Sequence, residues 1–148
     1  MGYFFWRKIM HKGQCFCGSV KVEAKEEPEV MLYCHCSSCR EWSAGPINAA
    51  VLWKSENVKI VQGEENLKTY NKTEGSTRTW CTKCGGHLMT VHPPMGMTDL
   101  YHAITPQLEF KPMFHVHYGE TVLKVADGLP KFKDLPKDIG GSGETLEE

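Results

Sequence analysis

Hydrophobic and polar positions alternate over short stretches of the chain, as they do in strands of a half-buried sheet. Val20, Val22 and Ala24 are separated by Lys21 and Glu23, so a strand here would present one apolar face. A Glu-Glu-Pro turn separates this strand from a second one, residues 30–33. Similar stretches, bounded by Gly, Pro, Asn or Ser, follow at residues 49–53, 58–61, 67–70, 78–80, 88–91, 100–104 and 115–118. The pattern predicts a mainly β protein.

One short segment has a different pattern. Residues 37–42 predict a helical turn, which the following Ala44-Gly45-Pro46 would stop. The polar and glycine-rich end of the chain, residues 133–148, predicts a flexible acidic tail. We therefore expect an N-terminal extension over residues 1–11, one domain over residues 12–132 and the tail.

Composition and charge restrict the classes of protein that the chain can represent. A chain of 148 residues, of which 41% are hydrophobic and 24% charged, is typical of one globular domain. Seventeen basic and eighteen acidic side chains give a formal charge of −1, without a basic stripe. These features argue against nucleic-acid binding and a basic membrane-binding patch, and they favour small molecules or proteins as partners.

Cysteine is the unusual residue in this composition. The chain has seven cysteines, and an odd number cannot pair completely in disulfides. No apolar run approaches the length of a membrane span, and the first residues lack the pattern of a secretory signal. We expect a soluble cytoplasmic protein, in which reduced cysteines favour metal binding over disulfides.

The cysteines fall into three short clusters, each with a spacing suited to a metal. The clusters are Cys15-Phe16-Cys17-Gly18, Cys34-His35-Cys36-Ser37-Ser38-Cys39-Arg40 and Cys81-Thr82-Lys83-Cys84-Gly85-Gly86. A C-x-x-C turn places two thiolates on one zinc ion, and a following glycine lets backbone N–H groups approach the sulfur atoms. Cysteines that merely fill a core would not gather in this way.

The spacing alone leaves two groupings of these cysteines open. In one, Cys36 and Cys39 join Cys81 and Cys84 as a zinc ribbon, and three cysteines are left over. In the other, the first and third clusters form a closed four-thiolate site, and the middle cluster forms a second site. The second grouping uses every cysteine. It would combine a structural zinc with an open three-ligand zinc of the kind found in catalytic sites.

Three ordered motifs resemble the family of glutathione-dependent formaldehyde-activating enzymes. They are G-x-C-x-C-G-x-V over residues 13–20, C-H-C-x-x-C-R over residues 34–40, and R-x-aromatic-C-x-x-C-G over residues 78–85. The resemblance covers approximately residues 12–132. It implies zinc-stapled antiparallel sheets of the Mss4-like type, with a short helical turn after the second cluster.

The resemblance also implies ligands and an activity. It implies a structural zinc on Cys15, Cys17, Cys81 and Cys84, and a second, catalytic zinc on Cys34, Cys36 and Cys39. The implied activity is that of a carbon–sulfur lyase, which joins the thiol of glutathione to formaldehyde as S-hydroxymethylglutathione and catalyses the reverse reaction. The alternative is a non-catalytic binding module stabilised by zinc, because a fold does not determine a function.

Several other residues are candidates for substrate contacts. Arg40 and Arg78 flank the clusters, and they would either hold glutathione carboxylates or balance the negative charge of zinc thiolates. Trp42 closely follows Cys39 and is a candidate for a pocket wall. His35 could serve as an acid or base, although strand alternation would point it away from the metal. His115 and His117 could bind a third metal, but they are expected on the exposed face of a strand.

Overall fold

A computed structural model describes residues 9–148 of the chain, in which β-strands predominate. One α-helix, α1, spans Ser37–Ser43. The strands are β1 Met10–Gln14, β2 Lys21–Lys25, β3 Val30–Cys34, β4 Asn48–Lys54, β5 Val58–Gln62, β6 Leu67–Thr73, β7 Ser76–Cys81, β8 His87–His92, β9 Met97–Leu100 and β10 Phe114–Val116. The predicted mainly β fold with one short helical segment is confirmed.

The strands of the described residues form two sheets. The smaller sheet has the order β1-β2-β5, and the larger has the order β10-β3-β4-β9-β8-β7-β6. Neighbouring strands are antiparallel, as predicted, except that β10 runs parallel to β3, with Phe114 opposite Leu32. A parallel neighbour needs a crossover, and here the chain passes through every other strand of the larger sheet before it returns to β3.

Two predicted strands differ from the observed ones. The strand predicted over residues 100–104 shares only Leu100 with β9, Met97–Leu100, because His102–Ile104 forms a 3₁₀ helix. β10 stops at Val116, because His117 adopts a left-handed conformation with φ 52° and caps another 3₁₀ helix, Tyr118–Glu120. The predicted N-terminal extension overlaps β1, which starts at Met10, and residues 1–8 lie outside the described residues.

Strand β4 lies between two apolar clusters and contributes to both. Val51 and Trp53 are fully buried with Val20, Val22 and Ala24. Ala50 and Leu52 point to the opposite face, where they pack with other buried residues, namely Leu32, Cys34 and Val116. A strand buried on both faces needs no polar alternation, which explains the continuous apolar run over residues 49–53. The first cluster joins the two sheets, and the second forms part of a cavity described below.

Helix α1 is short because its two ends are fixed by local hydrogen bonds. Cys36 caps the N-terminus, where its Sγ accepts a hydrogen bond from the Cys39 backbone N–H at 3.3 Å. Ala44 ends the helix in a left-handed conformation with φ 51°, and its N–H donates to the Arg40 carbonyl. The helix therefore stops immediately before Gly45-Pro46, as predicted.

Residues 133–148, predicted as a flexible tail, fold back on the domain. Lys133 N–H donates to the Glu144 carbonyl at 2.8 Å, and Leu146 N–H donates to the Lys131 carbonyl at 2.8 Å. Gly141 makes the return possible, because a Cβ on this residue would lie 2.0 Å from the Leu135 carbonyl oxygen. Composition alone did not reveal these contacts, since they are mostly backbone hydrogen bonds.

Within residues 9–148, none of the helices has the length and apolar character needed to span a membrane.

Candidate functional site

The first and third cysteine clusters meet in a four-thiol group. The sulfur atoms of Cys15, Cys17, Cys81 and Cys84 all lie within 4.8 Å of one another. Cys17 Sγ is 3.7 Å from Cys15 Sγ and 3.8 Å from Cys81 Sγ. Four sulfur atoms at the Zn–S distance of about 2.3 Å in a tetrahedron are separated by approximately 3.8 Å. The spacing of these thiols therefore fits a tetrahedral metal ion.

Two turns build the four-thiol group from both sheets. Cys15 follows β1, and Cys81 ends β7, and both are buried. Val20 N–H donates to Cys15 Sγ at 3.3 Å, and Gly86 N–H donates to Cys84 Sγ at 3.4 Å. Such bonds stabilise thiolates without adding a ligand. The group can therefore close around a metal with protein ligands alone.

The middle cluster forms a separate three-thiol group. The sulfur atoms of Cys34, Cys36 and Cys39 lie within 4.8 Å of one another. Cys34 ends β3 and Cys39 lies in α1, so a strand end and a helix start hold the group. Cys36 and Cys39 thus meet Cys34 instead of Cys81 and Cys84, unlike in a zinc ribbon. Three thiols leave one position of a tetrahedral metal open.

The three-thiol group lines a cavity of about 780 Å³. The order of strands in the larger sheet divides the lining into two halves. β3, β4 and β10 supply mostly apolar side chains, namely Leu32, Ala50, Leu52 and Val116, with Asn48 as a polar one. The strands from β9 to β6 supply mostly polar side chains, among them Asp99, His92, Arg78 and Lys72, with Met97 as an apolar one. A volume of this size is typical of small-molecule sites.

Arg78 and Arg40 occupy different environments. Arg78 lines the cavity and is 8% exposed, and it forms no ion pair with the carboxylates of residues 9–148. Arg40 Nε donates to the His35 carbonyl at 3.0 Å, and Arg40 Nη2 donates to the Glu120 carbonyl at 3.1 Å. The guanidinium of Arg78 is thus free to bind an anion in the cavity, whereas that of Arg40 fixes backbone segments on both sides of the site.

Trp42 lies next to Arg78 and does not line the cavity. Its ring stacks on His87 with 4.2 Å between centroids, and Arg78 Cζ lies 5.9 Å from the centroid of the Trp42 ring. The indole Nε1 is buried and has no hydrogen-bond partner among the described residues. Trp42 therefore contacts the site through the cation–π pair with Arg78.

Asp99 is a buried acid at the boundary between the two halves of the cavity. Its Oδ1 accepts a hydrogen bond from Val51 N–H at 3.0 Å, and its Oδ2 accepts one from Asn48 Nδ2 at 3.1 Å. Burial raises the pKa of Asp99 to about 7, because these two hydrogen bonds replace only part of the lost hydration. Near neutral pH this carboxyl can therefore hold or release a proton.

A chain of buried hydrogen bonds extends from His35 toward the C-terminal segment. His35 Nε2 lies 2.8 Å from His115 Nδ1, and His115 Nε2 lies 2.8 Å from Asp127 Oδ2. Thr121 Oγ1 is 2.8 Å from His35 Nδ1, and Lys131 Nζ donates to Asp127 Oδ1 at 2.6 Å. The prediction that His115 lies on an exposed strand face is wrong, because this side chain is fully buried against the rings of Tyr33, His35 and Tyr118.

The charges in this chain of hydrogen bonds determine its direction. Burial opposes ionisation of Asp127, but hydrogen bonds from Lys131 and His115 outweigh it and hold the pKa of Asp127 below its usual range. Burial and the nearby positive charges lower the pKa of His35 to about 4. An Asp127 carboxylate can only accept, so the His115 Nε2–H donates to it, and this sets the direction of the chain at the Asp127 end. The sequence carries no local signal for this contact.

The fold and these two thiol groups define a class of protein, a mainly β protein with two cysteine clusters that could hold metal ions. A family model described as glutathione-dependent formaldehyde-activating enzyme matches residues 10–119. The chain belongs to this family, as its three motifs predicted. Both thiol groups lie within the matched residues.

Among solved structures, the chain resembles the crystal structure of a protein from Rhodobacter sphaeroides. The two share 26% sequence identity with a TM-score of 0.55, over 66% of this chain and 90% of that one. None of the curated proteins matches the chain.

Proposed function

We propose that the protein is a zinc-dependent carbon–sulfur lyase that adds the thiol of glutathione, or of a similar molecule, to formaldehyde or a related aldehyde. The observation that carries this proposal is the placement of the three-thiol group in the wall of a cavity large enough for such an adduct. The four-thiol group, by contrast, joins two turns and needs no further ligand. Family membership supports the same chemistry.

The two thiol groups would differ in charge as well as in access. Three thiolates around Zn²⁺ give a net charge of −1, and four give −2, so the three-thiol group would keep more Lewis acidity. Zinc bound there supplies a positive centre that keeps a thiol deprotonated at neutral pH. We assign the second zinc to Cys34, Cys36 and Cys39, and a structural zinc to the other four cysteines.

The reaction itself requires one proton transfer and the correct placement of the thiol and the aldehyde. The sulfur–carbon bond forms as the π bond of the aldehyde breaks, and the thiol proton ends on the former carbonyl oxygen; the lyase direction reverses both changes. Arg78 would hold a substrate carboxylate from inside the cavity, where a guanidinium forms paired hydrogen bonds. Arg40 would act from outside, by fixing the backbone beside the thiols. Addition of thiols to aldehydes is already easy, so placement is the main contribution.

The environment of the cysteines fits a reducing compartment. All seven cysteines are free thiols in the structure. Disulfides are rare in the cytoplasm, and thiolate metal sites are common there. We therefore propose a cytoplasmic location, with a small thiol and an aldehyde as partners.

Exchange NMR tests the activity directly. Zinc-loaded protein is added to an equilibrium mixture of glutathione, formaldehyde and their adduct, and the rate of exchange between free and adduct glutathione is measured. We expect faster exchange than without protein, and two zinc ions per chain by elemental analysis. Cys39→Ser is the matched variant, which should stay folded, keep one zinc and lose the acceleration.

Two results would contradict the proposal. Folded protein with two zinc ions that leaves the exchange rate unchanged would favour the alternative of a non-catalytic binding module. Full acceleration by folded Cys39→Ser protein would remove the three-thiol group from the reaction.

A further inference from the structure

The cavity beside the three-thiol group is more apolar than a one-carbon aldehyde requires. Leu32, Ala50, Leu52 and Val116 line it, and so do Met97, Leu135 and Ile139. Leu32, Ala50, Leu52 and Val116 lie on the strands of one half of the cavity, and Met97 and Leu135 pack against them, whereas the cations Arg78 and Lys72 lie on strands of the other half. Formaldehyde contributes only a hydroxymethyl group to its adduct, which would leave this apolar surface uncovered.

The division of the lining predicts how an adduct would lie. Glutathione carries two carboxylates and one ammonium group, and its carboxylates suit the half that contains Arg78. The sulfur must lie at the three-thiol group, which contributes Cys34 to the apolar half. The substituent that the aldehyde supplies would then point over Leu32, Leu52 and Val116, where an apolar group gains free energy by leaving water.

Part of the apolar wall comes from a segment outside the family match. The match ends at residue 119, but Leu135 and Ile139 belong to the segment that folds back on the domain. Two anchors hold that segment in place. Lys131 Nζ, with 2% of the residue exposed, donates to Glu148 Oε1 at 2.6 Å, and Gly141 packs against the Leu135 carbonyl. These contacts fix the position of the segment that carries Leu135 and Ile139.

We propose that the physiological adduct derives from an aldehyde with an apolar alkyl or aryl group, for which residues 133–148 supply a specificity-determining wall. The inference rests on the proposed function and names its substrate class. The balanced step is the addition of the thiol S–H across the carbonyl of R–CHO, which gives R–CH(OH)–S–glutathione; R is the apolar group.

Stable analogues of the adduct test this inference without turnover. S-methylglutathione and S-hexylglutathione differ only in the length of the apolar chain, and both are titrated into zinc-loaded wild-type protein by calorimetry. We expect the hexyl compound to bind about tenfold more tightly or better, which corresponds to burial of roughly two methylene groups. Glutathione should displace it, which places it in the same site.

Two isoleucines of similar exposure provide a variant and its control. Ile139 is 41% exposed and lines the cavity, and Ile9 is 45% exposed and lies outside it, so neither change should unfold the protein. We expect Ile139→Gln to reduce the ratio of the two dissociation constants by about threefold or more, whereas Ile9→Gln should leave the ratio unchanged.

The outcomes separate this inference from the proposed function. Equal affinity for the two analogues, with glutathione–formaldehyde exchange still accelerated, overturns the inference alone. Tight binding of S-hexylglutathione that glutathione does not displace, or a ratio that Ile139→Gln does not change, also overturns it. Failure of glutathione and both analogues to bind folded protein with two zinc ions overturns the proposed function as well.

Discussion

The four-thiol and three-thiol groups have the same ligand chemistry but differ in what they connect. The four-thiol group joins the turn after β1 to the turn after β7, and Cys17 and Cys81 are 64 positions apart. It therefore links the smaller sheet to the larger one. The three-thiol group lies within six residues, at one connection of the larger sheet. A metal there constrains the chain only locally.

The two groups also differ in the number of ligands that they offer and in their access to the cavity. Cys15 and Cys81 are almost completely buried, whereas Cys17 is exposed, and their group offers four possible protein ligands. The three-thiol group faces a cavity and offers three ligands. On the proposed assignment, the four-thiol group would stabilise the fold and the three-thiol group would take part in the reaction, although both consist of cysteines alone.

The largest expected effect comes from removing one ligand of each group. Cys81→Ser should give unfolded or insoluble protein, because a structural zinc contributes about 10–16 kcal/mol, against a domain stability of about 5–15 kcal/mol. Cys36→Ser should give soluble protein with a cooperative melt, and serine can still cap α1. Thermal melts and zinc content provide the measurement. Equal destabilisation by both changes would contradict the comparison.

The anchor of the C-terminal segment should affect the cavity side of the molecule and not the four-thiol group. Lys131→Met removes a buried cation from the partly exposed Asp127 and Glu148 carboxylates and should destabilise the protein by about 1.5–3 kcal/mol. It should also speed hydrogen exchange in residues 133–148. Lys133→Met is the matched control, because its exposed ion pair with Glu144 at 3.6 Å should contribute less than about 0.5 kcal/mol.

Zinc at the four-thiol group should remain bound in both lysine variants. Loss of this zinc in Lys131→Met protein would contradict the expectation that the anchor does not affect the four-thiol group. Similar destabilisation by the two lysine changes would contradict the role of Lys131 as an anchor.

The buried acid in the cavity should give the protein a pH dependence of its own. Because burial raises the pKa of Asp99 to about 7, its contribution to stability is fully present below its unfolded pKa and is lost as pH rises through 7. The free energy of unfolding of Asp99→Asn protein should therefore rise by about 2 kcal/mol relative to that of the wild type between pH 5.5 and pH 8. Denaturant unfolding at matched zinc content measures the difference.

Asparagine keeps an oxygen that can accept from the Val51 N–H, so the variant should fold. Glu65→Gln, at an exposed position, should show no such relative gain, and a parallel pH profile for Asp99→Asn would exclude Asp99 as the titrating group.

The smallest expected effect distinguishes the two arginines near the three-thiol group. Arg78→Lys should weaken glutathione binding by about tenfold, because a point charge replaces the planar donor in the cavity. Arg40→Lys should change this affinity little, since its guanidinium is already bonded to the His35 and Glu120 carbonyls. Calorimetry on zinc-loaded variants is the measurement. A larger loss of glutathione affinity in Arg40→Lys than in Arg78→Lys would indicate that Arg40, and not Arg78, contacts the ligand.

Local pattern was sufficient to predict most strands and the clusters of cysteines. Alternation of Val20, Val22 and Ala24 with charged residues identified β2, and Cys36 with Gly45-Pro46 bounded α1. The parallel pairing of β10 with β3 could not be predicted in this way. It depends on which distant strand is still unpaired, which no window of the sequence contains.

The candidate site shows the same limit. The spacing identified every cysteine as a candidate ligand, but it left open which cysteines lie together. That depends on the position of β7 relative to β1 and β3 in the folded protein. The pair of His35 and His115 was missed, since the two residues are 80 positions apart and neither has a distinctive neighbour. The cavity wall from Leu135 and Ile139 was missed because its polar, glycine-rich surroundings resemble those of an unstructured tail.

The parallel pairing of β10 with β3 also bears on how the protein is made. Contacts between distant segments form late, and a chain leaves the ribosome from its N-terminus. Cys34, Cys36 and Cys39 are therefore synthesised well before the strand and the segment that later enclose their cavity. During that interval the three thiols are open to oxidants and to stray metal ions. We expect the yield of active protein to depend on the redox state and zinc supply of the cell at the time of synthesis.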